Sequence, residues 1–424
     1  MGNPMESSRA TMRDLRRRNR SAVLSRLYFE GPVSRQDLVG LTGLSAATVS
    51  NVTGDLVEEG LVVEAGLVDS DGGRPRVLLR VNPDYGQVIG IDVGETGIKV
   101  ELFDLTINRL AAIERPLSTP RPDPQTVVDN IASGLREVIA AGGVDESTII
   151  GVGIGIPGTV ERGPRALVHA QVMGWDAVPF ADLLRRAGVR LPLYFDNGAK
   201  TQGQAELWFG AGRGFRHAVV ALVGSGVGAA IITNGATYQG ATSSAGEWGH
   251  TTVVYGGRQC RCGARGCLEA YVGAESVLER YRQARRGRDL PGDDERSRLE
   301  ALIAAARTST VAARVLDETA GYLGAGIANL INLFNPERIV LGGWAGLALG
   351  AAMLPAIREA VAAHALRHSL AQTSIELGQL GPDAVAFGAA TLPVAALLER
   401  GGDRHEERPG RPRPRLPAPA TVDS

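Results

Sequence analysis

The chain has 424 residues, 44% of them hydrophobic, and a formal net charge of −1. That length suggests two to four domains with ample material for buried cores, and the balanced charge means that any nucleic-acid signal must be local. No apolar stretch reads as long and charge-free enough to span a membrane, and the polar, basic first twenty residues lack the apolar region of a secretory signal, so a cytoplasmic location is expected.

Residues 1–18 are expected to be a disordered arm or a frayed helix. Arg13, Arg16, Arg17, Arg18 and Arg20 make it basic, which suits phosphate contact and a solvated tail equally. Residues 19–82 read as a winged helix-turn-helix. Val23, Leu24, Leu27 and Tyr28 recur at helical spacing until Gly31-Pro32 stops the helix. Ser34 caps a second helix carrying Leu38, Val39 and Leu41. Ser45 caps a third, residues 46–59, with Val49, Val52, Leu56 and Val57 facing inward. Residues 61–64 and 76–80 read as strands, and the Gly/Asp loop 69–75 as the wing.

A third helix that enters the major groove by its N-terminal end presents Ala47, Thr48, Ser50 and Asn51 to base edges. Asparagine reads adenine bidentately, hydroxyls bond bases or phosphates, and alanine touches a thymine methyl. Ser45 at the cap joins this set, and Arg74 at the wing tip reaches the minor groove or a phosphate. Double-stranded operator DNA is the expected partner. The other reading of such a domain is a protein-contact module.

Asn82-Pro83 marks a boundary. Residues 83–200 read as a first α/β lobe, completed by a helix at about 384–398, and residues 201–383 as a second. Residues 88–104 form a strand, a glycine turn and a strand, and residues 217–232 echo them. This weak repeat suggests the duplicated ribonuclease-H-like lobes of actin-type proteins. The highly charged residues 282–298 read as a surface loop, and the Pro- and Arg-rich residues 401–424 as disordered.

All three cysteines fall within eight positions, Cys260, Cys262 and Cys267, ten residues after His250. Three thiolates and one imidazole complete a tetrahedral zinc shell with no vacant position, so a structural zinc ion is expected rather than a hydrolytic one. Glu247 and Glu269 flank this set. His250 can use its second nitrogen to hold a ligand hydroxyl. Two glutamates and an imidazole suit a polyhydroxylated small molecule, and they suit ordinary surface acids equally well.

The run Gly246-Glu247-Trp248-Gly249-His250, followed by Cys260, Cys262, Gly263, Gly266, Cys267, Leu268 and Glu269, resembles the signature of the ROK family of sugar kinases and sugar-responsive transcription regulators. With flanking motifs the resemblance covers about residues 20–395. It implies that the hairpin at 88–104 once held nucleotide phosphates, with Asp92, Gly94 and Thr96 kept but Glu95 where the family has glycine. It implies a sugar contact at Asn197 and another at Gln171, where the family has asparagine. It aligns Gly198 with the kinases' catalytic aspartate, so no catalytic residue is expected, and Asp196 stands too far away to replace it. Trp344 stands where the family continues with glycine, a residue that would either fill adenine space or pack on the surface. The resemblance thus implies a sugar-responsive DNA-binding regulator, most simply a repressor, forming a homodimer or homotetramer. Its inactive sugar-binding domain would use Gln171, Asn197, Glu247, His250 and Glu269. The alternative is an active sugar kinase with an attached DNA-binding head.

Overall fold

The computed structural model describes residues 12–70, 73–119, 121–161, 163 and 165–404, with the backbone alone at Ser70, Gly73 and Arg74. The chain divides into two units, residues 1–81 with 396–424 and residues 82–395.

In the first unit, α1 (Met12–Glu30) buries Val23, Leu24 and Leu27. Residues 12–18 are helical, the second of the two forms expected, and charge pairs tie the helix to the third helix. Arg16 bonds Asp55 at 2.7 Å, and Arg20 grips Glu59 with both Nη atoms. Residues 1–11 lie outside the described residues. After β1 (Val33–Ser34), Ser34 and Asp37 form a capping box on α2 (Arg35–Thr42). Ser45 accepts from the Thr48 amide to cap α3 (Ala46–Glu58). Val49, Val52 and Leu56 of α3 are buried, but Val57 and Leu41 are exposed. Thr53 takes the inner position instead. It is fully buried, accepts from Arg35 Nε and donates to the Ser50 carbonyl, which satisfies its hydroxyl.

The hairpin β2 (Val62–Ser70) and β3 (Gly73–Val81) runs further than expected, because pairing continues to Ser70 and Gly73. Residues 71–72 of the expected wing lie outside the described residues, as does the Arg74 side chain. Near the C-terminus, residues 401–404 are ordered rather than disordered. Arg20 Nε donates to the Gly401 carbonyl, and a Cβ on Gly402 would meet Leu61. Residues 405–424 lie outside the described residues.

The second unit opens with β4 (Gln87–Val93), β5 (Gly97–Asp104) and β6 (Arg109–Pro116), then α4 (Pro124–Gly142) and the fully buried β7 (Ile149–Ile156). A small sheet of β8 (Thr159–Glu161), β9 (Leu167–Ala170) and β10 (Trp175–Pro179) precedes α5 (Phe180–Arg186) and β11 (Leu193–Asn197). The main sheet has the order β11-β7-β4-β5-β6. After α6 (Gly198–Phe209), a second sheet uses β12 (Ala218–Val223), β13 (Val227–Thr233) and β14 (Ala236–Thr237). Then come α7 (Glu269–Val272), α8 (Ala274–Ala284), α9 (Glu295–Ala305) and α10 (Thr310–Phe334). The chain ends with β15 (Arg338–Gly342), α11 (Trp344–His364), α12 (Arg367–Ala371), β16 (Ser374–Leu377) and α13 (Ala384–Glu399). The second sheet has the order β14-β13-β12-β15-β16, the same as the first. In each, an antiparallel meander is extended by two parallel strands. The echo between the two glycine turns is therefore an echo of topology.

One expectation fails in part here, because composition was read without tertiary context. The charged stretch 282–298 is partly helical, because Asp294 and Ser297 form a capping box that starts α9 and Leu299 and Leu302 are buried. Trp344–His364 is long and apolar enough, by length and composition, to cross a membrane. It packs as a core helix, burying Leu349, Ile357 and Val361 and lying so close to α10 that a Cβ on Gly324 would meet Ala360.

Helix α13 returns to the first sheet. A Cβ on Gly153 would lie 1.8 Å from the Ala389 carbonyl oxygen, and one on Gly90 would lie 2.0 Å from that of Ala386. Glycine in these central strands lets the helix backbone approach. Gly153→Ala is expected to destabilise by about 1–3 kcal/mol through overpacking. Gly54→Ala, on the open face of α3 with nothing within 4 Å, is expected to stabilise by up to about 1 kcal/mol. Thermal unfolding of both variants beside wild type checks the pair.

Candidate functional site

Residues 238–268 contain little regular structure beyond a single 3-10 turn, Trp248–His250. Close backbone approach holds them in place. Gly246 has φ 99° and sits where a Cβ would lie 2.0 Å from the Ala229 carbonyl of β13. Gly266 has φ 82° and stands equally tight against Val254. Side chains larger than hydrogen fit neither the angle nor the space. Trp248 is buried and donates its indole N–H to the Gly326 carbonyl at 3.0 Å, which pins the turn to α10.

This folding brings His250, Cys260, Cys262 and Cys267 together, with all ligand atoms within 4.8 Å of one another. Cys260 Sγ lies 3.7 Å from His250 Nδ1, and Cys262 Sγ lies 3.7 Å from Cys267 Sγ. A tetrahedral ion with metal–sulfur bonds of about 2.3 Å spaces its sulfur atoms about 3.8 Å apart, so the donors fit one ion. Burial pushes the Cys260 thiol up to about 12. A divalent cation would reverse that by taking the thiolate directly.

The cluster borders a cleft of about 760 Å³ between the two lobes, a size suited to a small ligand. All five expected sugar residues, Gln171, Asn197, Glu247, His250 and Glu269, line it. Their availability differs. Asn197 is engaged at both ends: its Oδ1 caps α6 through the Ala199 amide, and its Nδ2 donates to the Gly158 carbonyl at 2.7 Å. Glu269 is buried and accepts from the Val227 amide at 3.0 Å. Desolvation of the Glu247 carboxylate inside the cleft raises its pKa above the usual carboxylate value; His250 and Lys200 oppose the shift and Glu269 adds to it.

Gly198 is the first residue of α6 and faces the cleft, with Val385 the nearest neighbour of a built Cβ at 3.6 Å. A side chain would fit there; the chain supplies none. Asp196 lies in β11, which ends at Asn197, so it and Gly198 belong to different elements. Asp196 is absent from the described cleft lining and instead accepts from Gln239 Nε2 at 3.2 Å and from the Asn197 amide.

Sequence reading missed the polar network at the other end of the cleft. Glu95, on the β4–β5 turn, takes a bidentate hydrogen bond from Arg261, which stands between two of the clustered cysteines. Arg261 also donates to the Ser225 carbonyl and lies 3.3 Å from Glu269. Burial works against the Arg261 charge, but the bond to Glu95 and the fields of Glu269, Glu95 and Glu275 outweigh it and raise its pKa. Ser225 donates to Glu295, the first residue of α9. Trp344 does face this end, packed beside Gly224 with Arg296 5.8 Å above its ring. The available signal was chemical: a carboxylate beside a glycine turn needs a cation, and one lay in the cysteine loop.

In the first unit, Ala47, Ser50 and Asn51 are exposed on α3. Thr48 is half-buried, with its hydroxyl 2.9 Å from that of Ser45, so these two residues serve the cap.

Comparison with known proteins matches residues 88–395 to the ROK family. The chain is 31% identical to a xylose repressor of Caldicellulosiruptor bescii, over 91% of this chain and 97% of that protein. It is 33% identical to a glucokinase of Halalkalibacterium halodurans, over 72% of this chain and 94% of that protein. Among solved structures, a ROK family transcriptional regulator, a homologue of the E. coli MLC protein, superposes with TM-score 0.76 at 24% identity, covering 92% and 98% of the two chains.

His169 adds a titratable group to the cleft wall. Its Nδ1 lies 2.9 Å from Asp176 and its Nε2 3.0 Å from Glu161. The bond to Asp176, with that to Glu161 and both negative fields, outweighs partial burial and raises its pKa. Its contribution to stability is therefore present below the ordinary histidine value and lost as pH rises through the folded-state value. In NMR titrations of the imidazole C–H signals, the His169 midpoint should lie above 6.5, and Asp176→Asn should lower it.

Proposed function

The chain belongs to the ROK family, and on that premise we propose that it is a sugar-responsive, DNA-binding transcriptional repressor whose former kinase domain serves as a sensor. The observation that carries this reading is the extent of the similarity. The match to the xylose repressor leaves too few residues uncovered to omit the N-terminal unit, whereas the match to the glucokinase is no longer than the second unit.

The first unit acts as a winged helix-turn-helix. Helix α3 enters the major groove by its capped end, Ser50 and Asn51 meet base edges with Ala47 beside them, and Ser45 and Thr48 fix the approach. Arg74, in β3, extends the contact beyond the groove.

The second unit binds a sugar or related polyol at the His250 end of the cleft. Glu247 and His250 accept or donate to hydroxyls, Gln171 closes the opposite wall, and Asn197 and Glu269 hold the backbone that shapes the floor. His250, Cys260, Cys262 and Cys267 hold zinc, which supplies structural cross-linking of the loop. With Nδ1 directed at Cys260, His250 presents Nε2 for the ligand. The absence of a base supports a non-catalytic cleft: Gly198 has no proton acceptor, and Asp196 is tied to Gln239. A homodimer or homotetramer converts lobe movement into a change in the spacing of two DNA-binding heads.

Isothermal titration of the full chain with D-xylose, D-glucose and other sugars, each alone and with ATP, tests the sensor. Sugar binding without phosphate transfer is expected; transfer abolished by Asp196→Asn would establish a kinase instead. On DNA selected from a random library by wild type, Asn51→Ala should cost about 1–3 kcal/mol, and unchanged affinity would misplace the reading helix. Cys262→Ser should lower zinc content by mass spectrometry and lower Tm.

A further inference from the structure

One strongly charged stretch takes no part in the sensor or in the helix-turn-helix. Residues 408–415, Arg408-Pro-Gly-Arg-Pro-Arg-Pro-Arg415, carry four arginines and no acid. They contain Gly410-Arg411-Pro412-Arg413, the same tetrapeptide as Gly73-Arg74-Pro75-Arg76 at the start of β3.

The structure shows where this stretch sets out from. Two glycines in the left-handed region, Gly401 (φ 68°) and Gly402 (φ 95°), end α13, and their amides donate to the Leu398 and Leu397 carbonyls. They turn the chain onto α1. A Cβ on Gly401 would stand 2.7 Å from that of Arg20, and one on Gly402 would stand 2.5 Å from Leu61 Cδ2. Arg20 Nε donates to the Gly401 carbonyl at 2.8 Å, while its two Nη atoms hold Glu59, the C-cap of α3. Arg400 Nε donates to the Asp403 carbonyl at 3.0 Å. The chain therefore passes beyond Arg404 from the first unit, starting beside the C-terminal end of α3.

We propose that residues 408–415 are a second DNA-binding arm, which enters a minor groove beside the major groove that α3 reads. This rests on the DNA-binding reading of the first unit and deepens it. Reach permits the contact. Helix α3 has 13 residues, so about 20 Å separates its C-terminal end from the end in the groove. Nine positions lead from Gly402 to Arg411, a span of up to about 30 Å. Chemistry selects the groove. Proline disfavours helical backbone at the residue before it, and Arg408, Arg411 and Arg413 each precede one. Extended backbone with glycine among the arginines is narrow enough for a minor groove about 6 Å wide, which admits no helix. Narrow A·T-rich minor grooves concentrate negative potential and attract arginine. The same composition suits the aromatic-lined groove of a protein that takes proline-rich segments. Placement favours DNA, because the arm sets out from the unit that carries α3 and repeats the tetrapeptide of the wing hairpin.

The test compares the full-length protein with a variant ending at Arg404, which keeps the docked turn, and with Arg411→Ala/Arg413→Ala, which keeps the length. Each is titrated by fluorescence anisotropy with DNA selected from a random library by wild type, given A·T-rich or G·C-rich flanks, at about 50–200 mM salt. On A·T-rich flanks the truncated protein should bind about tenfold more weakly at the low-salt end. Its slope of log affinity against log salt should be shallower by about 2–3, because each phosphate contact contributes about 0.9. The double variant should lose about half as much slope. G·C pairs put an amino group into the minor groove, so on G·C-rich flanks the effect of truncation should shrink to about threefold or less. Unchanged affinity and slope on truncation would overturn the proposal and leave the stretch as a ligand for a partner protein. Equal losses on both flanks would overturn it too, since they mean phosphate contact without entry into the groove. Asn51→Ala keeps the two readings separate. Weakened binding in Asn51→Ala with no effect of truncation removes only the arm, whereas failure of wild type to select any DNA removes the DNA-binding reading and the arm with it.

Discussion

The close approach of an irregular segment to a sheet governs this molecule. Residues 238–268 place His250, Arg261 and the three cysteines, yet they have little helix or strand to hold them. What holds them is contact at distances only glycine permits, at Gly246 against β13 and at Gly266 against Val254, together with the buried indole of Trp248 on α10. Loops buried in this way must satisfy their own backbone groups. The Val253, Cys260 and Leu268 amides all find carbonyl partners within the segment. Four converging donors complete the restraint, and His250 belongs to both the donor cluster and the cleft wall.

The cleft follows from duplication. Two sheets of the same order each offer a glycine turn at the same structural place, and α9 and α11 of the second lobe bring their first residues to the opening. Such an arrangement is symmetric in backbone and asymmetric in side chains. One end carries Glu247 and His250, able to exchange hydrogen bonds with hydroxyls. The other carries Arg261 among carboxylates, with Trp344 and Arg296 stacked beside them. The polarity of the cleft is thus written onto a repeated scaffold by a few substituents.

What the sequence disclosed was local chemistry. Three cysteines within eight positions and a nearby histidine point to one another without any fold, and the folded chain brings their donor atoms within 4.8 Å of one another. Cap residues such as Ser34 and Ser45 act over three or four residues and were equally legible. What stayed hidden was set at long range. Glu95 and Arg261 are 166 residues apart, and nothing near either names the other. Thr53 reads as polar and exposed until Arg35 reaches it, and Val57 reads as core until the helix is seen to turn it out. The apolar run of α11 carries no mark of the sheet and helix that cover it. Asp196 and Gly198 are two positions apart in sequence, yet the switch from β11 to α6 falls between them and sends them apart.

Positions 95 and 198 line the same cleft and differ in what they put into it. Gly198 offers no side chain and leaves space that Val385 only borders. Glu95 reaches between two turns, and its bidentate bond to Arg261 ties the first sheet's turn to the loop that carries the four clustered donors. One position therefore opens the cleft and the other closes a gap across it, and both effects are set by the chain itself.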